Sequence, residues 1–230
     1  MIQSNDTANE QNNEHPSIAR LRAHTQFFHR SLSCLEEADA FFRPQADMLT
    51  IVGQIHHVTA AIEFFLSGLL FARQQLPSLE SIRQREFTSR RGRGEAWIGL
   101  STGFSSMDWV EVSNRDIAPP GSDAPLSGAL KAFDDTMEIA VLMFGVLTDD
   151  EMTVDLPANP LGFRTARDVM EILVDHTAHH RGAIAQYARI LGREPQIPYF
   201  EMSEALHEAQ LLTIPRESAN ATASDARSPP

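Results

Sequence analysis

Apolar residues recur every three to four positions in four long stretches of the chain, the spacing that lines one face of a helix. From Ser17, the series Ile18, Leu21, Ala23, Thr25, Phe28, Leu32 and Leu35 predicts a first helix of about five turns. It runs up to the acidic Glu36, Glu37 and Asp39, and Pro44 breaks the chain beyond it. A second helix is expected from an N-cap at Thr50 to about Arg73, ahead of Pro77. Its row Ile51, Ile55, Val58, Ile62, Phe65 and Leu69 is wholly apolar, and the adjoining row His57, Ala61, Phe64, Gly68 and Phe71 widens the buried arc. His57 therefore points inward. The row Val52, His56, Thr59 and Glu63 has polar members and is assigned to an outer or flanking face, so if one of the two histidines is a ligand it is His57.

A third helix is expected from a cap at Ser127, with Leu130, Phe133, Met137, Ala140, Val141, Phe144 and Leu147 inward and Asp149, Asp150 and Glu151 ending it. The fourth is framed by a capping box, Thr165 with Asp168, and by Gly192 as a left-handed stop. Stepping alternately by four and three from Val169 gives Leu173, His176, His180, Ala183, Tyr187 and Ile190. Two imidazoles thus fall on a stripe that should face a core. They admit two readings: core histidines each satisfied by a hydrogen bond, or a helical pair converging on one ion about 2.0 to 2.1 Å from each nitrogen. A pair leaves an ion under-coordinated, so the second reading needs a third ligand from elsewhere.

The remainder is less regular. Residues 1–16 read as a disordered polar tail, and 17–200 as the folded domain. Residues 201–230 read as a short amphipathic helix, Glu201 to Thr213, followed by a disordered tail. Leu76 to about Pro125 is a long connection, of the kind that serves as a crossover or carries function. Phe104 to Glu111 within it is a candidate pocket lining, although Trp109 reads more simply as a packing anchor. Asp155 to Phe163, with two prolines, is a loop, and Pro195 and Pro198 close the fourth helix region.

Composition narrows the function. The 42% hydrophobic and 22% charged content is that of a soluble globular protein, and no apolar run approaches the ~20 residues of a membrane span. The N-terminus lacks the basic start and apolar run of a signal peptide, so a cytoplasmic location is expected. A net charge of -12 repels phosphate backbones, and the basic cluster Arg83, Arg85, Arg90, Arg91 and Arg93 has no interleaved aromatics, so nucleic acid is not an expected partner. Cys34 is the sole cysteine, on the first predicted helix, and reads as a small buried hydrophobe. Any metal site must therefore use nitrogen and oxygen ligands.

The segment Asp175-His176-Thr177-Ala178-His179-His180-Arg181-Gly182 resembles the His-x-x-His-His-Arg-Gly signature of the DinB family of metal-dependent proteins, also called DinB/YfiT-like. Tyr187-Ala188-Arg189, Leu191-Gly192, Pro195 and Pro198-Tyr199 are similar to that family's C-terminal end, and Gln54-Ile55-His56-His57 with Glu63-Phe64-Phe65 to its second helix. The resemblance covers about residues 17–200. It implies an all-α four-helix bundle with a long crossover between helices 2 and 3, and His57, His176 and His180 as ligands of a divalent ion. His179 lies at the edge of the stripe with Ile172 and Gln186 and is assigned a supporting or packing role.

Three neutral imidazoles without a thiolate or carboxylate leave an ion's charge uncompensated and a position open, the arrangement of catalytic rather than closed structural sites. Zinc and nickel are the foremost metals, with iron or copper as alternatives. Family members of known activity include thiol S-transferases and thiol-dependent isomerases. The resemblance therefore implies a low-molecular-weight thiol that binds the metal as thiolate and attacks a small electrophilic substrate. It also implies a possible homodimer. A metal-dependent hydrolase is an alternative, weakened because Thr177 stands where helical zinc proteases have a general-base Glu. A ferritin-like carboxylate site is disfavoured, since the core helices have no Glu-x-x-His pair. A non-catalytic, stress-associated metal-binding module is the remaining reading.

Overall fold

Four long helices carry the fold: α1 Pro16–Leu32, α2 Ile51–Phe71, α3 Pro125–Val146 and α4 Ala166–Ile190. Short 3₁₀ turns at Glu37–Asp39 and Pro77–Leu79 follow α1 and α2. The computed structural model describes residues 16–72, 74–82, 125–158 and 162–199, without the side chains of residues 67 and 71. The described residues are helical and contain no strand, in line with the expected all-α class. Pro16, expected in the N-terminal tail, opens α1; the rest of that tail, the C-terminal tail, the Arg cluster, Phe104 to Glu111 and the helix expected over 201–213 lie outside the described residues.

α1 and α2 each pack against both α3 and α4. Leu21 and Phe28 of α1, Ile55 and Leu66 of α2, Phe133 and Phe144 of α3, and Val169 and Ile184 of α4 are fully buried where these faces meet. Phe28 stacks on Phe133 with centroids 4.3 Å apart. The row assigned to an outer or flanking face of α2 is more enclosed than expected: Val52 and Thr59 are buried, and His56 and Glu63 are half-buried. Thr59 tolerates this because its hydroxyl donates to the Ile55 carbonyl at 2.9 Å, leaving only a methyl to pack. Polarity of residue type was a poor guide to exposure on a helix enclosed by two neighbours.

Helix ends depart from local expectation for a common reason. α1 stops at Leu32, not at the acidic cluster, and Cys34 lies in the following turn, half-buried. That turn delivers distant partners to two other helices. The first N–H groups of α2 are met by Phe42 O for Ile51 (3.0 Å), Ala40 O for Val52 (2.9 Å) and Thr50 Oγ1 for Gly53 (3.0 Å). α3 begins at Pro125 instead of using Ser127 as a cap, and the Glu37 carboxylate accepts from Leu126 N at 2.8 Å and Ser127 N at 2.9 Å. The Ser127 hydroxyl donates to the same carboxylate, and that bond leads in holding the Glu37 carboxyl below its ordinary 4.5. At the far end α3 stops at Val146, and Glu151 accepts from Thr148 N and Ser78 N, both at 2.9 Å.

α4 has the expected frame. Thr165 Oγ1 accepts from Asp168 N at 3.2 Å while Asp168 Oδ2 accepts from Thr165 N at 3.0 Å. At the other end Gly192 adopts φ 76°, with Gly192 N bonded to Arg189 O and Arg193 N to Ala188 O, the double bond of a Schellman stop. Ile190, expected inward, is 62% exposed, and Ala188 is buried in that turn. The four-three stepping assumes 3.5 residues per turn, and a straight helix drifts ~20° per heptad away from it. Over the three heptads from Val169 the stripe has rotated off the core.

Replacing Gly192 by Ala should lower stability by about 1 kcal/mol, with Gly192→Asn less costly, in denaturant titrations. Glu37→Ala should cost about 1 kcal/mol near neutral pH through loss of the α3 cap. Because the folded carboxyl titrates below 4.5, its contribution is present above that pH and is lost as pH falls through the lowered value. The difference between wild type and variant should therefore narrow in acid.

Candidate metal centre

His57 stands in the second turn of α2, and His176 and His180 on adjacent turns of α4. Because α2 packs on α4, the imidazoles from the two helices meet. One ring nitrogen from each of His57, His176 and His180 lies within 4.8 Å of the others. His176 Nε2 and His180 Nε2 are 3.2 Å apart. Ring centroids are separated by 5.1 Å for His57–His176, 4.7 Å for His57–His180 and 4.5 Å for His176–His180.

These distances suit a shared ion. Two nitrogens about 2.05 Å from one tetrahedral ion stand roughly 3.3 Å apart, close to the observed separation of the α4 pair. Nδ1 of His57 and Nδ1 of His176 are buried without a hydrogen-bond partner, which argues against the reading of satisfied core histidines for these two. His180 differs, since its Nδ1 meets Gln54 Oε1.

Electrostatics keep the cluster uncharged. Burial first, then the neighbouring His176 and His57, brings His180 down to about 3. His176 is lowered to about 4 by burial and by His57, and His57 is lowered by burial and by His179. Neutral imidazoles carry the lone pairs that a divalent ion requires. No carboxylate or thiolate joins the three nitrogens among the described residues.

His56, assigned to an outer or flanking face, has its Nε2 buried without a hydrogen-bond partner, because α2 is enclosed more fully than its polar row suggested. It is not part of the triad. His179 is exposed, with its ring edge-on to His180 at 5.0 Å. Gln54 was given no role by sequence reasoning, yet it contacts His180 directly. Its position three residues before His57, on the same helix face, was the available signal.

A family model described as the DinB superfamily matches residues 20–184, which is more than half of the chain and spans all three histidines. The chain belongs to the DinB superfamily. This agrees with the motif resemblance on α4 and places this DinB protein's histidine cluster within the matched region. No match to a curated protein or to a solved structure accompanies it. Among the described residues, no helix of this DinB chain is long and apolar enough to cross a membrane.

The depressed basicity of the site sets a pH test. As pH falls below 6.5 the unfolded chain takes up protons that folded His176 and His180 resist until about 4 and about 3. The metal-free protein should therefore lose stability over that interval. Thermal melts should show a weaker acid dependence for the His176→Gln/His180→Gln double variant; an identical dependence would contradict the assignment. Removing any one of His57, His176 and His180 as alanine should reduce zinc or nickel affinity at least 100-fold by competition titration, about 2.7 kcal/mol.

Proposed function

We propose that this DinB-superfamily protein is a four-helix bundle, with the long connection as crossover between α2 and α3, that binds one divalent ion through His57, His176 and His180. It uses that site to present a low-molecular-weight thiol to a small electrophilic molecule. Zinc or nickel fits best, and iron or copper also suits imidazole. The observation that carries the reading is the meeting of three neutral imidazole nitrogens with no anionic side chain among them in the described residues.

A bound divalent ion would act as a Lewis acid with a position open, making a thiol or water held there acidic enough to lose its proton near neutral pH. The chain's own contribution is steric and electrostatic. α2 and α4 hold the three rings in a largely buried setting, and burial keeps them free of protons near neutral pH. With no side-chain anion in the triad, the site favours an anionic partner, which a thiolate supplies.

A hydrolase reading would need a base beside the site to activate water. Thr177 does not serve, because its hydroxyl is buried and donates to the Leu173 carbonyl at 2.7 Å. The non-catalytic module is separated from an enzyme by measurement: an ion that only stabilises the bundle raises the melting temperature without turnover.

Metal-loaded protein incubated with glutathione, bacillithiol or mycothiol and an electrophile should consume thiol with at least one of them, faster than His57→Ala. Equal rates for the two proteins with every thiol would end the transferase reading. If metal nevertheless raises the melting temperature, the structural module is favoured.

A further inference from the structure

Gln54 lies one turn before His57 on α2 and is 7% exposed. Its Oε1 meets His180 Nδ1, and its Nε2 donates to the Tyr187 hydroxyl at 3.3 Å. Tyr187 is itself buried and packs edge-on against Phe42, with centroids 6.2 Å apart. The amide is thus held between two side chains of α4.

A carboxamide beside an imidazole has two orientations with opposite consequences. With its oxygen toward His180, Nδ1 carries the ring hydrogen and Nε2 keeps a lone pair. With its nitrogen toward His180, Nδ1 is the acceptor and Nε2 carries the hydrogen, which closes it to an ion. His180 Nε2 is the nitrogen that lies 3.2 Å from His176 Nε2. Only the first orientation leaves that nitrogen available.

We propose that Gln54, anchored by Tyr187, is a positioning residue that fixes His180 in the tautomer with its hydrogen on Nδ1. The proposal rests on the metal-binding reading of the triad. It adds a consequence for specificity. Metal-ligating histidines commonly donate to a carboxylate or a backbone carbonyl, and a carboxylate raises ligand basicity and offsets the ion's charge. A neutral carboxamide fixes the ring without that offset. The partner selected at the open position is then an anion, whereas a carboxylate at 54 would weaken that preference.

The ¹⁵N shifts of the His180 ring in metal-free protein near neutral pH report which nitrogen bears the hydrogen. Wild type should show it on Nδ1. Gln54→Leu, similar in size but with no acceptor, should lose that preference and bind zinc 10- to 100-fold more weakly in competition titrations. Gln54→Glu keeps the oxygen and should retain the tautomer and bind zinc at least as tightly as wild type. A wild-type ring with its hydrogen on Nε2, or a Gln54→Glu variant as impaired as Gln54→Leu, would overturn the proposal. If changes at the buried position 54 prevent folding, Tyr187→Phe removes only the anchoring hydroxyl. A weakened zinc affinity at unchanged melting temperature supports the anchor, and unchanged affinity refutes it. An Nδ1-hydrogen ring in a wild-type protein that takes up no zinc would instead refute the metal reading beneath it.

Discussion

The contact between α2 and α4 is the constraint on which the rest of this molecule depends. Each helix alone presents an incomplete set of imidazoles, one on α2 and two on α4, and only their packing brings a nitrogen from each ring within 4.8 Å of the others. The packing is driven by ordinary apolar burial, with Ile55, Val58 and Ile62 of α2 and Val169, Leu173 and Ile184 of α4 at most 1% exposed. That burial also sets the chemistry. Desolvation is the leading cause of the lowered proton affinity of all three histidines, so the forces that bring α2 and α4 together also keep the rings neutral.

Carboxylates hold the helix ends in register around that contact. Glu37, from the turn after α1, caps α3, and Glu151, after α3, reaches both Thr148 and Ser78. Arg193, just past α4, bonds to Glu36 at 2.8 Å and to Asp39 at 3.2 Å, linking the end of α4 to the same turn. Most of these partners are far apart in sequence. They fix where helices start and stop relative to one another, and hence the height at which His57 faces His176 and His180.

Seen from the site, the polar residues divide by what their hydrogen bonds leave free. Thr177 and Thr59 turn their hydroxyls back onto their own helices and become packing groups. Gln54 reaches across to α4 and joins His180 to Tyr187. The Nδ1 atoms of His57 and His176 remain buried and unpartnered, as does Nε2 of the neighbouring His56 outside the triad. A neutral, desolvated nitrogen cluster of this kind could hold a metal ion.

How much of this was legible before the fold was known follows from the range of each interaction. Periodicity located the four helices, since the 3.6-residue repeat of buried positions is written locally, and the α4 frame at Thr165, Asp168 and Gly192 was readable because those caps bond within a few residues. The i, i+4 spacing of His176 and His180 and the inward face of His57 were equally local. Other features were not. The cap on α3 comes from Glu37, roughly ninety positions away, the enclosure of Val52 and His56 depends on which helices flank α2, and Ile190 left the core through drift that a fixed stepping rule does not follow. Gln54 gained its role only when α2 met α4. The sequence alone determined which residues lie on which helix face; the tertiary packing decided which faces meet, because contacts between distant segments leave no periodic trace in the chain.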